Sequence, residues 1–403
     1  MELALKGLKV ADFTWVWAGP YITKYLADHG ATVVRIESAK APDFLRISAP
    51  FKDNKPGINR SGFFPYVNPN KYSMSLDLRH PKGKEVAKRL AVWADVVADN
   101  FTAGVMDRLG LGYKELKQLN PDIIMISCAN QGATGPHAKH PGFGLQLVAL
   151  AGITNLTGWP DRTPVQPLAA YADVIAPRFA AAVLLAAIDY RQRTGKGQFI
   201  DVSQLEAAIH FIAPLVLDFF ANGRENTRNG NFCSCAAPHG VYRCKGDDRW
   251  CAIAVYTDEE WKSFCEVVGN PDWTLDKRFA SLLDRKKNEA ELDKLVEEWT
   301  VNYAAEDVMN TMQIRGVAAG VLENAKDILE DPQILDRRHF WQTEHSEIGP
   351  VLSFGQPFRL SKTPAQPRLA PPCLGEHTEY VCTQILGMSD SEFTELLNSG
   401  ALA

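Results

Sequence analysis

Leu8–Glu37 reads LKVADFTWVWAGPYITKYLADHGATVVRIE, and its punctuation decides the fold class. Leu8–Thr14 is a short apolar run that feeds the turn Ala18-Gly19-Pro20. Tyr21–His29 reads as a helix stopped by Gly30. Ala31–Glu37 (ATVVRIE) is β-branched and reads as a second strand. A strand, a helix and a strand in this span make one βαβ unit, and such a crossover joins parallel strands. Lys6 and Lys9 fall inside the first strand on this reading.

The alternation continues to about residue 130. Ser73–Leu78 alternates as a strand, Gly83–Trp93 is an amphipathic helix, and Ala94–Asn100 (ADVVADN) is a strand. Tyr113–Leu119 is helical and Ile123–Cys128 is a strand. The pattern predicts an α/β fold with a Rossmann-like parallel sheet, whose ligands bind beyond the carboxyl ends of the strands. Further on, Arg178–Thr194 is a helix, Gln198–Val202 a strand, and Ser203–Ala221 an apolar helix kinked at Pro214. Asn222–Asn231 (NGRENTRNGN) is a polar break. Three segments follow: residues 1–222 as the first part of a large domain, 223–329 as a smaller α/β domain, and 330–403 as a return to the large domain. The return holds extended pieces at Val351–Leu360 and two terminal helices, about Glu376–Leu386 and Ser389–Leu397.

Composition bounds the function. The chain has 403 residues, 46% hydrophobic and 23% charged, with net charge −5. This is globular usage, and the acidic balance argues against a nucleic-acid surface. The apolar run Phe179–Ile188 is shorter than the roughly 20 residues of a membrane span, so no membrane partner is expected. The N-terminus lacks the basic and long apolar regions of a secretory signal. Eight cysteines scattered through a chain of this length read as reduced thiols, and a cytoplasmic location is expected. Cys233, Cys235, Cys244 and Cys251 are spaced C-x-C-x8-C-x6-C. That spacing lacks the paired C-x2-C knuckles of zinc sites, so no metal is expected.

No G-x-G-x-x-G follows a strand, and no P-loop, H-E-x-x-H or G-x-S-x-G is present. Nicotinamide, ATP and serine-hydrolase chemistry lose their support. What remains is Asp173, in the loop segment Ala169–Pro177 (AAYADVIAP) before a helix. Its plain reading is an N-cap or first-turn acid. Its chemical reading is a carboxylate nucleophile that carries an acyl group covalently. Trp15 and Trp17 stand just past the first strand, where aromatic walls suit an adenine ring or an apolar acyl chain. Lys40, Lys71, Arg79 and Arg108 lie near strand ends and as a set suit the phosphates of a nucleotide-like ligand.

Together these segments resemble the class III CoA-transferase family, also called the formyl-CoA transferase or CaiB–BaiF family. The resemblance is carried by Leu8–Glu37, Asn70–Leu78 (NKYSMSLDL), Ala94–Gly112 (ADVVADNFTAGVMDRLGLG), Tyr171–Val202, Ala237–Tyr242 (APHGVY) and Pro372–His377 (PCLGEH). The Trp-rich first loop is most similar to the branch that handles aromatic or succinate-type acids, such as benzylsuccinate CoA-transferases. The resemblance implies a large domain built from both chain ends, a small inserted domain and an interlocked homodimer. It implies that Asp173 is the catalytic nucleophile, although Ala176-Pro177 replaces a commoner Thr-Gly or Ala-Gly pair. It implies CoA contacts at Trp15, Val16, Ala18, Leu76, Arg79, Asn100, Phe101 and Arg108. A basic family position is Ser38 here, with Lys40 or Arg46 as replacements, and Trp17 stands where a Gln is common. The family's Gly-rich lid loop is not evident, which leaves water exclusion to other residues, with Asn231–Gly240 as the candidate segment.

The implied activity is transfer of CoA from an acyl-CoA donor, such as succinyl-CoA, to a free acid. No permanently bound cofactor is implied; CoA and acyl-CoA are substrates. Trp15, Trp17 and Phe143 predict an apolar or aromatic acceptor. Two alternatives share the fold. An α-methylacyl-CoA racemase needs a His and an Asp on opposite faces of the α-carbon, and Phe143 occupies the His position, with His137 and His140 in a Pro/Gly loop nearby. A CoA-binding partner subunit of a hetero-oligomeric transferase need not keep a nucleophile, whereas Asp173 is present.

Overall fold

The computed structural model describes residues 2–168 and 170–402. It divides into two compact units, one of residues 1–156, 164–226 and 335–403 and one of residues 157–163 and 227–334. The large unit is built on six strands: β1 (Lys9–Asp12), β2 (Thr32–Glu37), β3 (Lys71–Ser75), β4 (Val96–Asp99), β5 (Ile124–Ala129) and β6 (Phe199–Ser203). Their order is β3-β2-β1-β4-β5-β6, and every pairing is parallel. The order reverses between β1 and β4. At such a switch point the connections leave in opposite directions and open a crevice beyond the strand ends.

Strand side chains alternate between two buried faces, so the sequence reads as near-continuous apolar runs. Ala11, Val34, Val97 and Met125 face one core, closed by α2 (Pro81–Trp93) and by Val381, Cys382 and Leu402 of the C-terminal return. Val10, Val33, Val96, Ile126 and Cys128 face the other, closed by α1 (Ala18–Asp28). A second helix closes that face through Ala176, Ala180 and Leu184. Past β5 the chain forms α3 (Gly144–Leu150), then this second helix, α4 (Tyr171–Thr194), and after β6 come α5 (Gln204–Phe211) and α6 (Ala213–Asn222). The edge of β3 is covered by the returning chain: His377 N donates to Ser73 O at 2.9 Å, and Ser75 N to Thr378 Oγ1 at 3.0 Å.

Several sequence expectations need correction. The helix expected from Arg178 begins at Tyr171, so Asp173 lies in its first turn rather than in a loop. Pro177 sits inside that helix, where its missing N–H leaves the Asp173 carbonyl without its usual donor. Among the described residues α4 is the single helix that by length and composition could cross a membrane, although it lies against the sheet here. The expected kinked helix is two helices, because Pro214 starts α6 instead of bending one continuous rod. The stretch expected as a helix at Glu376–Leu386 is a short turn, Thr378–Tyr380, running into a π-helical turn at Val381–Ile385. Lys6 lies in a turn before β1.

The smaller unit is an antiparallel sheet, β7 (His239–Arg243), β8 (Trp250–Ala254) and β9 (Ala318–Val321), in that order. Helices Asp258–Val267, Glu289–Thr300 and Ala305–Ile314 contribute Phe264, Leu292, Val296 and Met312 to its core. Residues 157–163, which the sequence assigned to the large domain, pack with this unit: Gly230 N donates to Gly158 O at 2.8 Å, and Trp159 meets Phe232 edge-on.

Within β1, β2 and β3 and the loop that follows β2 lies a cluster of fully buried charges. Lys71 donates to Asp12 Oδ2 at 3.1 Å, to Pro20 O at 2.8 Å and to Asn68 Oδ1 at 3.0 Å. Arg46 forms a fork on Glu37 at 2.8 and 2.7 Å, and Arg35 pairs with Asp43 while donating to Thr14 O at 2.9 Å. Burial opposes ionisation of Asp12 and Glu37, yet the cations beside them hold both carboxyls below their ordinary range. Removing one member of such a set strands the others without water. Lys71→Met is therefore expected to lower the unfolding free energy by about 3–5 kcal/mol. Urea unfolding followed by circular dichroism reads this, and a change under about 1 kcal/mol contradicts it.

Candidate active site

The switch point is held shut around the loop that follows β1. Asn100, just past β4, accepts from Trp15 N at 2.7 Å and donates to Trp15 O at 2.8 Å, so one side chain clamps both main-chain groups of Trp15. Trp15 and Phe101 rings meet edge-on at 6.1 Å. Val16 has φ of 63°, a left-handed conformation that a β-branched residue rarely adopts. Its amide donates to Asp43 Oδ2 at 3.0 Å, and Asp12 Oδ1 accepts from Thr14 N at 3.0 Å. The buried charges thus fix the strained loop from below. Gly19 completes the fit: a Cβ there would stand 2.7 Å from Asn100 Cγ and 2.5 Å from Thr14 Cβ.

Asp173 approaches from α4. Its carboxyl lies against Gly144, the first residue of α3, where an added Cβ would stand 2.7 Å from Asp173 Cγ and 2.4 Å from Ala170 Cβ. Ala170 leaves the helix start without a side-chain cap. Among the described residues no ion pair or side-chain hydrogen bond engages the Asp173 carboxylate. Burial therefore acts unopposed and pushes the carboxyl up to about 7. Its neighbour Val174 packs on the cluster that contains Val16, Trp17, Tyr21 and Tyr66. Trp17 lies between Phe63 and Tyr66, at 5.7 and 5.2 Å. The exposed Phe143 pairs with Phe44 at 6.3 Å. An acid poised near neutrality, beside a glycine and an aromatic wall, is equipped for nucleophilic attack once ionised.

The residues singled out from sequence fall into three groups. Trp15, Val16, Asn100 and Phe101 converge at the switch point, as described. Arg79 and Arg108 are exposed and, among the described residues, make no salt bridge. Ala18 and Leu76 are core positions, 2% and 1% exposed, so neither side chain is open to a ligand. Two basic candidates need correction. Lys71 is wholly buried on Asp12, and Arg46 is consumed by Glu37, Asn59 Oδ1 and Pro372 O, so neither is free for a phosphate. Lys40 stays at the surface, paired with Asp77 at 3.0 Å. Cys244 and Cys251 lie in the small unit's core, whereas Cys233 and Cys235 lie outside it. Ala169, within the segment holding Asp173, is outside the described residues.

Sequence reasoning missed three contributors. Asp43 holds Val16 from a loop with no motif. Gly144 makes room for Asp173, and the signal available in the sequence is the Gly142-Phe143-Gly144 run that leads into α3. Asp99 is 3% exposed; its Oδ1 accepts from Phe101 N and Ser127 Oγ at 3.1 and 3.2 Å, its Oδ2 is buried without a partner, and burial pushes it to about 7. It borders a cavity of about 400 Å3 with Ser127, Tyr113 and Lys114.

Known proteins share this architecture. A protein of the CAIB/BAIF family from Brucella suis superposes with a TM-score of 0.87 at 29% identity, over 96% of this chain and 100% of that one. The succinyl-CoA–D-citramalate CoA-transferase of Chloroflexus aurantiacus is 32% identical, over 97% of this chain and 96% of its own length. The human succinyl-CoA:glutarate CoA-transferase is 28% identical, over 99% and 90%. The family profile described as CoA-transferase family III matches residues 5–378. With a six-stranded parallel sheet, a clamped first loop and a match running through nearly the whole chain, this protein belongs to CoA-transferase family III.

Proposed function

We propose that this CoA-transferase moves CoA from an acyl-CoA of the succinyl-CoA type to a carboxylic acid with an apolar or aromatic body, through covalent intermediates on Asp173. The observation that carries the reading is the Asp173 carboxyl, unpaired among the described residues and seated against Gly144. The ionised carboxylate attacks the thioester carbonyl, and CoA leaves as its thiolate, giving an aspartyl anhydride. The thiolate attacks the aspartyl carbonyl and releases the donor acid, leaving an aspartyl-CoA thioester. The acceptor carboxylate attacks that carbonyl, CoA thiolate leaves again, and its attack on the acceptor carbonyl restores Asp173 and yields the new thioester. Every bond broken is activated, so the thioester's energy is conserved.

The switch point would carry CoA. Trp15 and Phe101 offer faces for an adenine ring, with Val16, Ala18 and Leu76 contributing main chain beside them. Asn100 fixes this loop, and Arg79 and Arg108 supply charge-assisted bonds to phosphates. Binding energy gathered there holds the thioester over Asp173. A dicarboxylate acceptor is the second reading. It is favoured by Arg178, exposed, without a salt bridge among the described residues, 5.9 Å from the Tyr21 ring centroid and one turn beyond Val174.

A screen of succinyl-CoA and acetyl-CoA against aryl, alkyl and dicarboxylic acids, reading new acyl-CoA by mass, tests the proposal. Aryl or alkyl acids are expected to turn over fastest, and the rate is expected to rise with pH through about 7, because only the carboxylate form of Asp173 attacks. Asp173→Asn is expected to lose at least about a thousandfold, although Asn caps helices as well as Asp. Best turnover with oxalate removes the apolar acceptor. A preference for dicarboxylates abolished by Arg178→Ala selects the second reading. Near-parental turnover by Asp173→Asn removes the covalent mechanism.

A homodimer is part of the same reading. Phe211, Leu217, Phe219 and Phe220 on α5 and α6 are 55–89% exposed, a surface that a single chain leaves unburied. Light scattering on the product of this one gene is expected to give the mass of two chains. The mass of one chain, or activity only with a second gene product, contradicts it.

A further inference from the structure

In the small unit, two thiols that the transfer chemistry does not use stand in contact. Cys233 and Cys235 flank Ser234 in a turn just before β7, and their Sγ atoms are 3.3 Å apart. Cys235 is exposed and Cys233 half-buried. The remaining cysteines differ: Cys128, Cys244, Cys251, Cys265 and Cys382 are buried, and Cys373 rests on Ser346 Oγ at 3.3 Å. Burial, reinforced by the Asp173, Asp99 and Asp201 carboxylates, raises the Cys128 thiol, and burial raises that of Cys382 against Arg89, which makes both inert.

Contact and exposure, rather than acidity, set the pair apart. The hydrogen bond with Cys233 raises the Cys235 thiol above its ordinary value, and Lys286, over the neighbouring Phe232 ring at 5.7 Å, offsets only part of that rise. Metal binding does not account for the pair, because no third ligand group joins it among the described residues. Phe232, the next residue, lines a cavity of about 440 Å3 with Trp159, His239 and Tyr242. A bond between the two sulfurs would therefore reset one wall of that cavity.

We infer that Cys233 and Cys235 form a reversible dithiol–disulfide site that reacts with low-molecular-weight disulfides. One thiolate attacks a sulfur of the small disulfide, and the first small thiolate leaves. This gives a mixed disulfide on the protein. The second cysteine, as its thiolate, attacks the protein-bound sulfur, and the second small thiolate leaves. The two cysteines lose two electrons and two protons; the small disulfide gains both and becomes two thiols. The ring closed across a single intervening residue is strained, and strained, exposed disulfides are the readily reduced ones. The bridge is a labile one, made and broken as the ratio of small disulfide to thiol changes.

The test uses the full chain, reduced, desalted and incubated in buffers of glutathione disulfide and glutathione at graded ratios. Free thiols are then blocked with iodoacetamide and the peptides weighed. In the parent protein the peptide holding both cysteines is expected to lose two hydrogens, carry no glutathione, and return to the dithiol with dithiothreitol. Cys233→Ser and Cys235→Ser are each expected to hold glutathione as a lasting mixed disulfide, because the resolving thiol is gone. Three results overturn the inference: both thiols still alkylated at the most oxidising ratio, a stable glutathione adduct on the parent, or a bridge from either cysteine to a different cysteine. The parent measurement stands by itself if a variant fails to fold.

Discussion

Charge burial within β1, β2, β3 and the loop after β2 is the constraint on which the rest of this structure depends. Asp12, Arg35, Glu37, Asp43, Arg46 and Lys71 are almost wholly removed from water, an arrangement that is costly unless every partner is in place. Each is paired, and the pairs terminate on main-chain groups of the first loop: Thr14 N on Asp12, Thr14 O on Arg35, Val16 N on Asp43. A hydrophobic core of the same volume would be cheaper. It would not hold Val16 in a left-handed conformation or present Trp15 to Asn100. The network trades stability for a fixed loop at the switch point, as functional sites commonly do.

Four of the buried and half-buried carboxylates differ in the charge that stands beside them. Asp12 and Glu37 face cations and stay ionised. Asp99 and Asp173 have no cation beside them among the described residues and are raised to about 7 by burial. A raised carboxyl favours the folded state most below the unfolded value of about 4, and that contribution is lost as pH rises through about 7. Near neutrality the protein therefore tolerates an electrostatic cost at Asp173, whose carboxylate form is weakly solvated.

Much of the architecture was legible because it is encoded locally. Apolar runs at Leu8–Thr14, Ala31–Glu37 and Ile123–Cys128, separated by helices, specify a parallel sheet with little ambiguity, and Asp173 stood out by its place at a helix start. What escaped was long-range. Nothing near Lys71 announces that it will meet Asp12, so an apparent phosphate ligand is a buried counter-ion. Arg46 likewise looked free until the fold brought it onto Glu37. Pro177 was read as a helix boundary, whereas packing of Ala176 and Ala180 on the sheet carries α4 through it. The Gly142-Phe143-Gly144 run marked a turn, but not that Gly144 matters for the space it leaves beside Asp173.

Chemical trapping bears most directly on the account. The enzyme mixed with an acyl-CoA and treated with hydroxylamine or borohydride should carry a modified side chain at residue 173, since both reagents intercept an aspartyl thioester. Peptide mass spectra are expected to place the change on Asp173, only when acyl-CoA is present and not with free CoA alone. An unmodified residue 173 in enzyme that is turning over, or modification of a different carboxylate such as Asp99, would contradict it.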